Sequence, residues 1–133
     1  MISPEQLFSE ALVADSTAVQ ALIGDRAFEL IAPKAFVNDV PAVIYHLETL
    51  PTDFAGAFHT GNFVVKCYGG SQKKTDAETV ARAVYDRFHA KEITVASGSL
   101  GKSFVTQFQS LPPEPETGWA VYLVRVMCLI EGS

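Results

Sequence analysis

The chain has 133 residues, of which 48% are hydrophobic and 19% charged, and its formal net charge is −5 at pH 7. This length fits one domain with a core of its own, and the composition excludes an intrinsically disordered chain. The acidic balance argues against a nucleic-acid-binding protein with a cationic surface, because such binding needs a surplus of Lys and Arg.

No apolar run approaches the roughly 20 residues that a membrane-spanning helix needs. The longest run, 120–130, is interrupted by Arg125. The first residues, MISPEQ, lack the basic and then apolar order of a secretory signal, so we expect the protein to fold in the cytosol. Cys67 and Cys128 lie in apolar, strand-like runs, and we expect both to be buried, reduced thiols.

Two short helices are predicted near the beginning of the chain. Ser3, Pro4 and Gln6 have the order of residues that begins a helix, and apolar residues follow at helical spacing. Asp15 falls on the apolar face of this helix, so we expect it to end the first helix and to cap a second one. The second helix has apolar residues at 18, 19, 22 and 23 and ends at Gly24.

Two strands are predicted next, at 42–48 and 62–68. In the first of them Val43, Tyr45 and Leu47 share one face, which is the pattern of a strand with one buried side. The connection 50–61 is rich in turn-forming residues and is predicted to be a long hairpin connection or a mobile loop. It nevertheless contains Phe54 and Phe58.

The clearest element is an amphipathic helix over 76–89. Thr75 and Glu78 have the spacing of a capping box, and Glu78, Arg82 and Asp86 follow one another at four-residue intervals on the polar face. The opposite stripe is apolar and is expected to pack on a sheet. Its members are Ala77, Val80, Ala81, Val84 and Phe88.

The remainder of the chain is predicted to be mainly β-structure. Segments 92–96 and 103–109 form a hairpin around 97–101, and the proline-rich segment 111–118 is expected to be irregular. Segment 119–130 is apolar on both faces and is predicted to be a central strand. The predicted fold class is α+β: an antiparallel β-sheet with an amphipathic α-helix packed on one face and short N-terminal helices, in a single domain over 1–133.

The sequence offers little for catalysis or metal binding. Its histidines and cysteines have no zinc-type spacing, and the glycine-rich stretch 69–74 lacks the Gly-Lys-Ser/Thr ending of a phosphate-binding loop. Glu114 and Glu116 flank Pro115 in a loop, where carboxylates are expected to be solvated rather than raised in pKa by burial. We therefore predict that the protein is not an enzyme and has no catalytic, cofactor or metal site.

Several side chains suit contacts with other proteins. Phe54 and Phe58, in the predicted loop, fit either an interface loop or a small satellite core. Trp119 either begins the last strand or anchors an interface. Arg125, in the middle of an apolar strand, needs a partner if it is buried; it can pair within the subunit, or it can face a neighbour or solvent.

Several short segments form a pattern along nearly the whole chain. They are DSTAVQALIGDR at 15–26, AP at 32–33, PAVIY at 41–45, FVVKCY at 63–68, the alanine-containing helix 76–89, and EPETGWAVY at 114–122. In this order and spacing the chain resembles the small tail-completion proteins of long-tailed bacteriophages, also called tail terminator or head–tail joining proteins. It has Phe28, and Pro113 or Pro115 near the acidic turn, where that family often has Tyr.

The resemblance implies a structural virion protein that is assembled in the cytoplasm of a bacterial host and has neither active site nor cofactor. Members of the family form rings, commonly hexamers, at the head-proximal end of the tail tube, where they stop tube polymerisation and provide the surface to which a filled head docks. The implied partners are other copies of the chain, the major tail tube protein and head connector proteins. DNA passes through without sequence-specific binding, and no membrane is involved.

We expect segments 50–61 and 111–118 to reach neighbouring subunits or the tail tube. The residues predicted at these interfaces, with His59 placed in the first loop, are Phe54, Phe58, His59, Glu114, Glu116, Trp119 and Arg125. Two alternatives stay open: a neck or connector protein of the same junction, and a small-ligand-binding or catalytic α+β domain. Rapid reaction of Cys67 with a thiol reagent would favour the second.

Overall fold

The computed structural model describes residues 4–14, 18–24, 26–29, 40–49, 58–70, 73–95, 98–112 and 120–131. Three helices and six strands occur in these residues. The helices are α1 (Pro4–Ser9, followed by a π-helical turn at Glu10–Ala14), α2 (Ala18–Ile23) and α3 (Lys74–Phe88). The strands are β1 (Ala27–Glu29), β2 (Ala42–Thr49), β3 (Phe58–Tyr68), β4 (Lys91–Val95), β5 (Gly98–Leu111) and β6 (Val121–Glu131).

The first two helices lie where the sequence predicts them. Helix α1 begins at Pro4, and α2 is followed by Gly24, whose N–H donates to the carbonyl oxygen of Gln20 (2.8 Å). Gly24 has a φ of +59°, the left-handed conformation that glycine adopts readily at helix ends. The predicted caps, Ser3 and Asp15, lie outside the described residues.

The described strands form one sheet in the order β1-β2-β3-β6-β5-β4. Neighbouring strands are antiparallel except for β1 and β2, which are parallel. Strand β6 lies between β3 and β5, as its two apolar faces predict. The α+β fold class is therefore confirmed, with the addition of a parallel pair at one edge.

The described helices pack against one face of the sheet and enclose the core. Phe8 of α1 lies at its centre, with its ring stacked 4.0 Å from that of Phe63 and 4.8 Å from that of Phe88. Burying one such side chain contributes roughly 1.5–3 kcal/mol. The apolar stripe predicted for α3 is buried in the same core. In the part of the chain that the structure describes, no helix is long and apolar enough to span a membrane.

The predicted loop over 50–61 is wrong in its last part, because β3 already begins at Phe58. Residues 58–61 pair with residues 128–131 of β6, and His59 is a strand residue opposite Ile130. Pairing along a long neighbouring strand overrides the turn preference of the local sequence. Residues 50–57 lie outside the described part of the chain.

The hairpin of β4 and β5 turns more tightly than predicted. Val95 pairs with Gly98, so residues 98–101 belong to β5 rather than to the turn. Gly101 passes close to β6, where a Cβ would lie 2.9 Å from the side chain of Leu129. At the other end of β5, Leu111 is also a strand residue and pairs with Val121, so the irregular segment is shorter than 111–118.

Helix α3 begins earlier than predicted and lacks the predicted capping box. Lys73 occupies the N-cap position and makes no side-chain cap hydrogen bond. Thr75 lies inside the helix, where its carbonyl oxygen accepts a hydrogen bond from the Thr79 hydroxyl (2.9 Å). The Glu78 carboxylate instead accepts a hydrogen bond from the Tyr122 hydroxyl (3.1 Å), which connects α3 to β6.

Candidate assembly interface

The structure describes only some of the residues predicted at an interface. Arg125 is described with its side chain, whereas Phe58 and His59 are described as backbone of β3. Those outside the described residues are Phe54, Glu114, Glu116 and Trp119.

The two connections predicted to reach other proteins join the sheet at opposite ends. Strand β3 begins at Phe58, opposite Glu131 at the end of β6, whereas β6 begins at Val121, opposite Tyr68 at the end of β3. Connection 50–57 therefore leads into one end of the sheet and connection 113–119 into the other. Because β3 has 11 residues, the two ends are roughly 35 Å apart. The strand residues that flank the two connections are therefore far apart in the structure.

Arg125 lies on the outer face of the sheet, by which we mean the face opposite the helices. Its Nη2 donates to Oε2 of Glu48 (3.0 Å) and its Nη1 donates to Oε1 of Gln107. Its Nε is buried without a hydrogen-bond partner among the described residues. The Arg125 and Glu48 side chains are 33% and 39% exposed, so the ion pair is worth about 0–1 kcal/mol. The sequence left open whether Arg125 pairs within its own subunit or faces a neighbour or solvent. In the structure it pairs with Glu48 of the same subunit.

A shallow groove of about 270 Å³ lies beside this ion pair on β2 and β3, lined by Ile44, His46, Lys66 and Tyr68. Lys66 is exposed and makes no ion pair within the described residues, whereas Tyr68 is only 7% exposed. The charge of Arg125 is balanced by Glu48, whereas Lys66 has no such partner among the described residues. The groove was not predicted from the sequence. In the sequence, the groove corresponds only to the residues that alternate with the buried face of the two predicted strands at 42–48 and 62–68.

Strand β5 has an edge that β4 covers only in part. Strand β4 pairs with β5 as far as Lys91 and Ser103, and within the described residues no other strand pairs with this edge from residue 104 onward. The N–H of Val105 donates to Nδ1 of His89 (3.1 Å). Segment 104–111 contains neither a charged residue nor proline, which are the usual protections of an exposed edge. Phe104 is 37% exposed there. Such an edge is suited to pairing with another chain.

On the helix side, polar contacts join α3 to the sheet. The predicted pairing of Arg82 with Glu78 is present (3.3 Å), and the guanidinium of Arg82 lies 5.6 Å from the centre of the Phe108 ring. The pKa of Tyr122 is raised, first by burial and then by its hydrogen bond to Glu78. These contacts connect α3 to β5 and β6.

The described histidines lie in different surroundings. Across the described ranges, no group of three His, Cys, Asp or Glu residues is placed to hold a metal ion. His46 lines the groove, and His89 accepts a backbone hydrogen bond at the end of α3. The features that remain are surfaces: the outer face with its groove and the open edge of β5.

Comparison with known proteins supports the fold. No protein-family model matches the sequence, and no curated protein matches it significantly. Among solved structures, a chain from the "Virion of native gene transfer agent (GTA) particle" is similar, with a TM-score of 0.67 and 15% sequence identity. The similarity covers 93% of this chain and 92% of that chain. At this level of identity, the likeness shows that the two chains share a fold.

Proposed function

We propose that this protein is a structural component of a phage-like virion. The observation that carries the proposal is the shared fold with a virion chain, which extends over nearly the whole of both chains. The sequence resemblance to tail-completion proteins of long-tailed bacteriophages points independently to the same class.

More specifically, we propose that the protein caps the head-proximal end of a tail tube as a ring, most simply a hexamer. In this position it ends tube polymerisation and presents a docking surface to head connector proteins. A ring of identical subunits needs a heterologous contact, in which one surface of a subunit meets a different surface of its neighbour. The open β5 edge and the outer face of β2 and β3 are two such different surfaces.

The two connections at opposite ends of the sheet have separate roles in this proposal. Connection 50–57 reaches the tail tube, and segment 112–118 reaches a neighbouring subunit. The net charge of −5 suits a ring through which DNA passes, because an acidic lumen does not retain the phosphate backbone.

The groove on β2 and β3 lies at the lower limit of the sizes of small-molecule sites. Pockets for small molecules usually have volumes of about 300–1,000 Å³ and enclose most of the ligand. The groove is about 270 Å³ and partly open to solvent. The alternative of a small-ligand-binding or catalytic domain is therefore tested by the reaction of Cys67 with a thiol reagent rather than by the volume of the groove.

The oligomeric state of the purified protein tests this proposal. Light scattering across a concentration series, combined with electron micrographs of the largest species, is expected to show closed rings. Binding then separates the two roles at the junction, because a terminator holds to the tail tube protein and a connector to the portal ring. Binding to portal rings but not to tubes would replace the terminator role with the connector role. Monomers that bind neither would overturn the proposal.

A further inference from the structure

We propose that the groove lined by Ile44, His46, Lys66 and Tyr68 receives the acidic, proline-rich segment 112–118 of a second copy of this chain. This inference rests on the proposed ring, and it names the two surfaces that meet between neighbouring subunits. The groove lies on β2 and β3, whereas segment 112–118 follows β5 in the chain. The contact therefore joins two different surfaces, as a closed ring requires.

The charge of the groove fits an acidic occupant. Lys66 is exposed and unpaired among the described ion pairs, and Arg125 beside it is already neutralised by Glu48. Lys66 is therefore an exposed positive charge beside the groove, in a chain whose net charge is −5. Segment 112–118 reads PPEPETG and has two carboxylates, Glu114 and Glu116, with no positive charge. A carboxylate placed beside Lys66 gains a charge-assisted hydrogen bond.

The apolar side of the groove fits prolines. The Tyr68 side chain is 7% exposed, and the Ile44 side chain is half-buried. Grooves with aromatic and aliphatic walls bind proline-rich segments, because such segments are already extended and lose little conformational entropy on binding. Pro112 and Pro113 come before Glu114, and Pro115 lies between Glu114 and Glu116. One short segment therefore offers apolar rings for the groove wall and carboxylates for Lys66.

The strand register places the end of β5 close to the row in which the groove begins. Leu111 pairs with Val121, which pairs with Tyr68, so the groove begins in the same row of the sheet in which β5 ends. Within one subunit, β6 lies between β5 and the groove on β2 and β3. The proposed ring needs a contact between subunits, so we assign the segment to the groove of a neighbour.

Reversal of charge on either side of the contact tests the inference. The first variant is Lys66→Glu, and the second is Glu114→Lys with Glu116→Lys. Each variant alone places like charges together, so we expect the protein concentration at half-assembly to rise tenfold or more. An equimolar mixture of the two variants restores opposite charges at every contact of an alternating ring. The mixture is therefore expected to assemble at the wild-type concentration.

Two controls separate a specific contact from a general effect of charge. Lys102→Glu makes the same charge change at another exposed lysine, on β5, and is expected to leave assembly unchanged. Urea unfolding of each variant verifies that it is folded, because substitutions at exposed positions usually change stability little. Ring formation is measured by native mass spectrometry, with one variant labelled with ¹⁵N so that the number of copies of each variant in a mixed ring can be counted.

The possible results distinguish this inference from the proposed function. If wild-type protein and both variants form rings at the same concentration, the inference is overturned and the ring remains. If both variants fail alone and their mixture also fails, whereas a single chain with all three substitutions assembles, the segment docks within its own subunit. Wild-type protein that forms no ring, with or without tail tubes, would overturn the proposed function together with the inference.

Discussion

The two thiols are buried deeply enough that we expect them not to react with thiol reagents in the folded protein. Cys67 and Cys128 are 0% exposed. Burial raises the pKa of both, and it raises that of Cys128 to about 12 even though a hydrogen bond from Ser103 acts in the opposite direction. We therefore expect no reaction with a thiol reagent at pH 8 until the protein unfolds, because the thiolate is the reactive form. Fast reaction of native Cys67 would favour an activated cysteine and hence a catalytic domain.

The same burial predicts how stability depends on pH. Above about pH 9 the unfolded chain loses the thiol protons while the folded protein keeps them, so the free energy of unfolding falls as pH rises. Each thiol contributes a slope of about 1.4 kcal/mol per pH unit, up to its folded pKa. Urea unfolding between pH 7 and 11 measures this slope, and a Cys67→Ala, Cys128→Ala variant should flatten it. A slope unchanged in that variant would contradict the prediction.

Arg125 shows what sequence reasoning can and cannot predict about a single residue. Its position in an apolar strand indicates that it needs a partner, and the structure supplies Glu48 and Gln107. Glu48 is 77 residues away in sequence, and its pairing depends on β2 and β6 lying on either side of β3. Because strand order was not predicted from the sequence, the partner was not predicted either.

At the scale of elements, the beginning of α3 offers a test of local energetics. Lys73, at the N-cap, has φ −79° and ψ 123°, which suits a capping side chain, but it makes no side-chain cap hydrogen bond. Its positive charge also opposes the helix dipole. Lys73→Asp should therefore stabilise the protein by about 1 kcal/mol, as measured by urea unfolding. Thr75→Ala is the matched control and should have a smaller effect, because Thr75 does not cap the helix. A large loss of stability in Thr75→Ala, with no gain in Lys73→Asp, would support the capping box instead.

The helices were easier to predict than the ends of the strands. The apolar stripe of α3 is a property of its own sequence, and each member is buried as predicted. The beginning of β3 depends instead on a partner, because residues 58–61 are held by β6 on one side, beyond the end of β2. The parallel pairing of β1 with β2 is also a non-local feature. Strand β1 has only three residues, which are too few to show a periodic pattern that would indicate this pairing.

At the scale of the whole molecule, the proposed role of connection 50–57 can be tested without disturbing the sheet. Residues 58–60 belong to β3, so a deletion that includes them would break the ladder with β6. Replacing residues 52–57 with six Gly and Ser residues keeps the length and removes Phe54. We expect this variant to fold and to form rings but to lose binding to tail tubes in co-sedimentation. Unchanged tube binding would contradict the role assigned to this connection.

The contact surfaces of the molecule were predicted least completely. The sequence indicated two connections, and the strand register shows that they lie at opposite ends of the sheet. It did not indicate the groove, because His46 and Lys66 come together only through the pairing of β2 with β3. An open sheet edge is likewise visible only when the limits of β4 and β5 are known.

The most direct test of the proposed function is electron microscopy of tail tubes polymerised from purified tube protein in the presence and absence of this protein. We predict a ring-shaped cap at one end of each tube and an arrest of further growth when tube protein is added. Tubes that remain bare and grow at the same rate at every concentration of this protein would contradict a role in ending the tail.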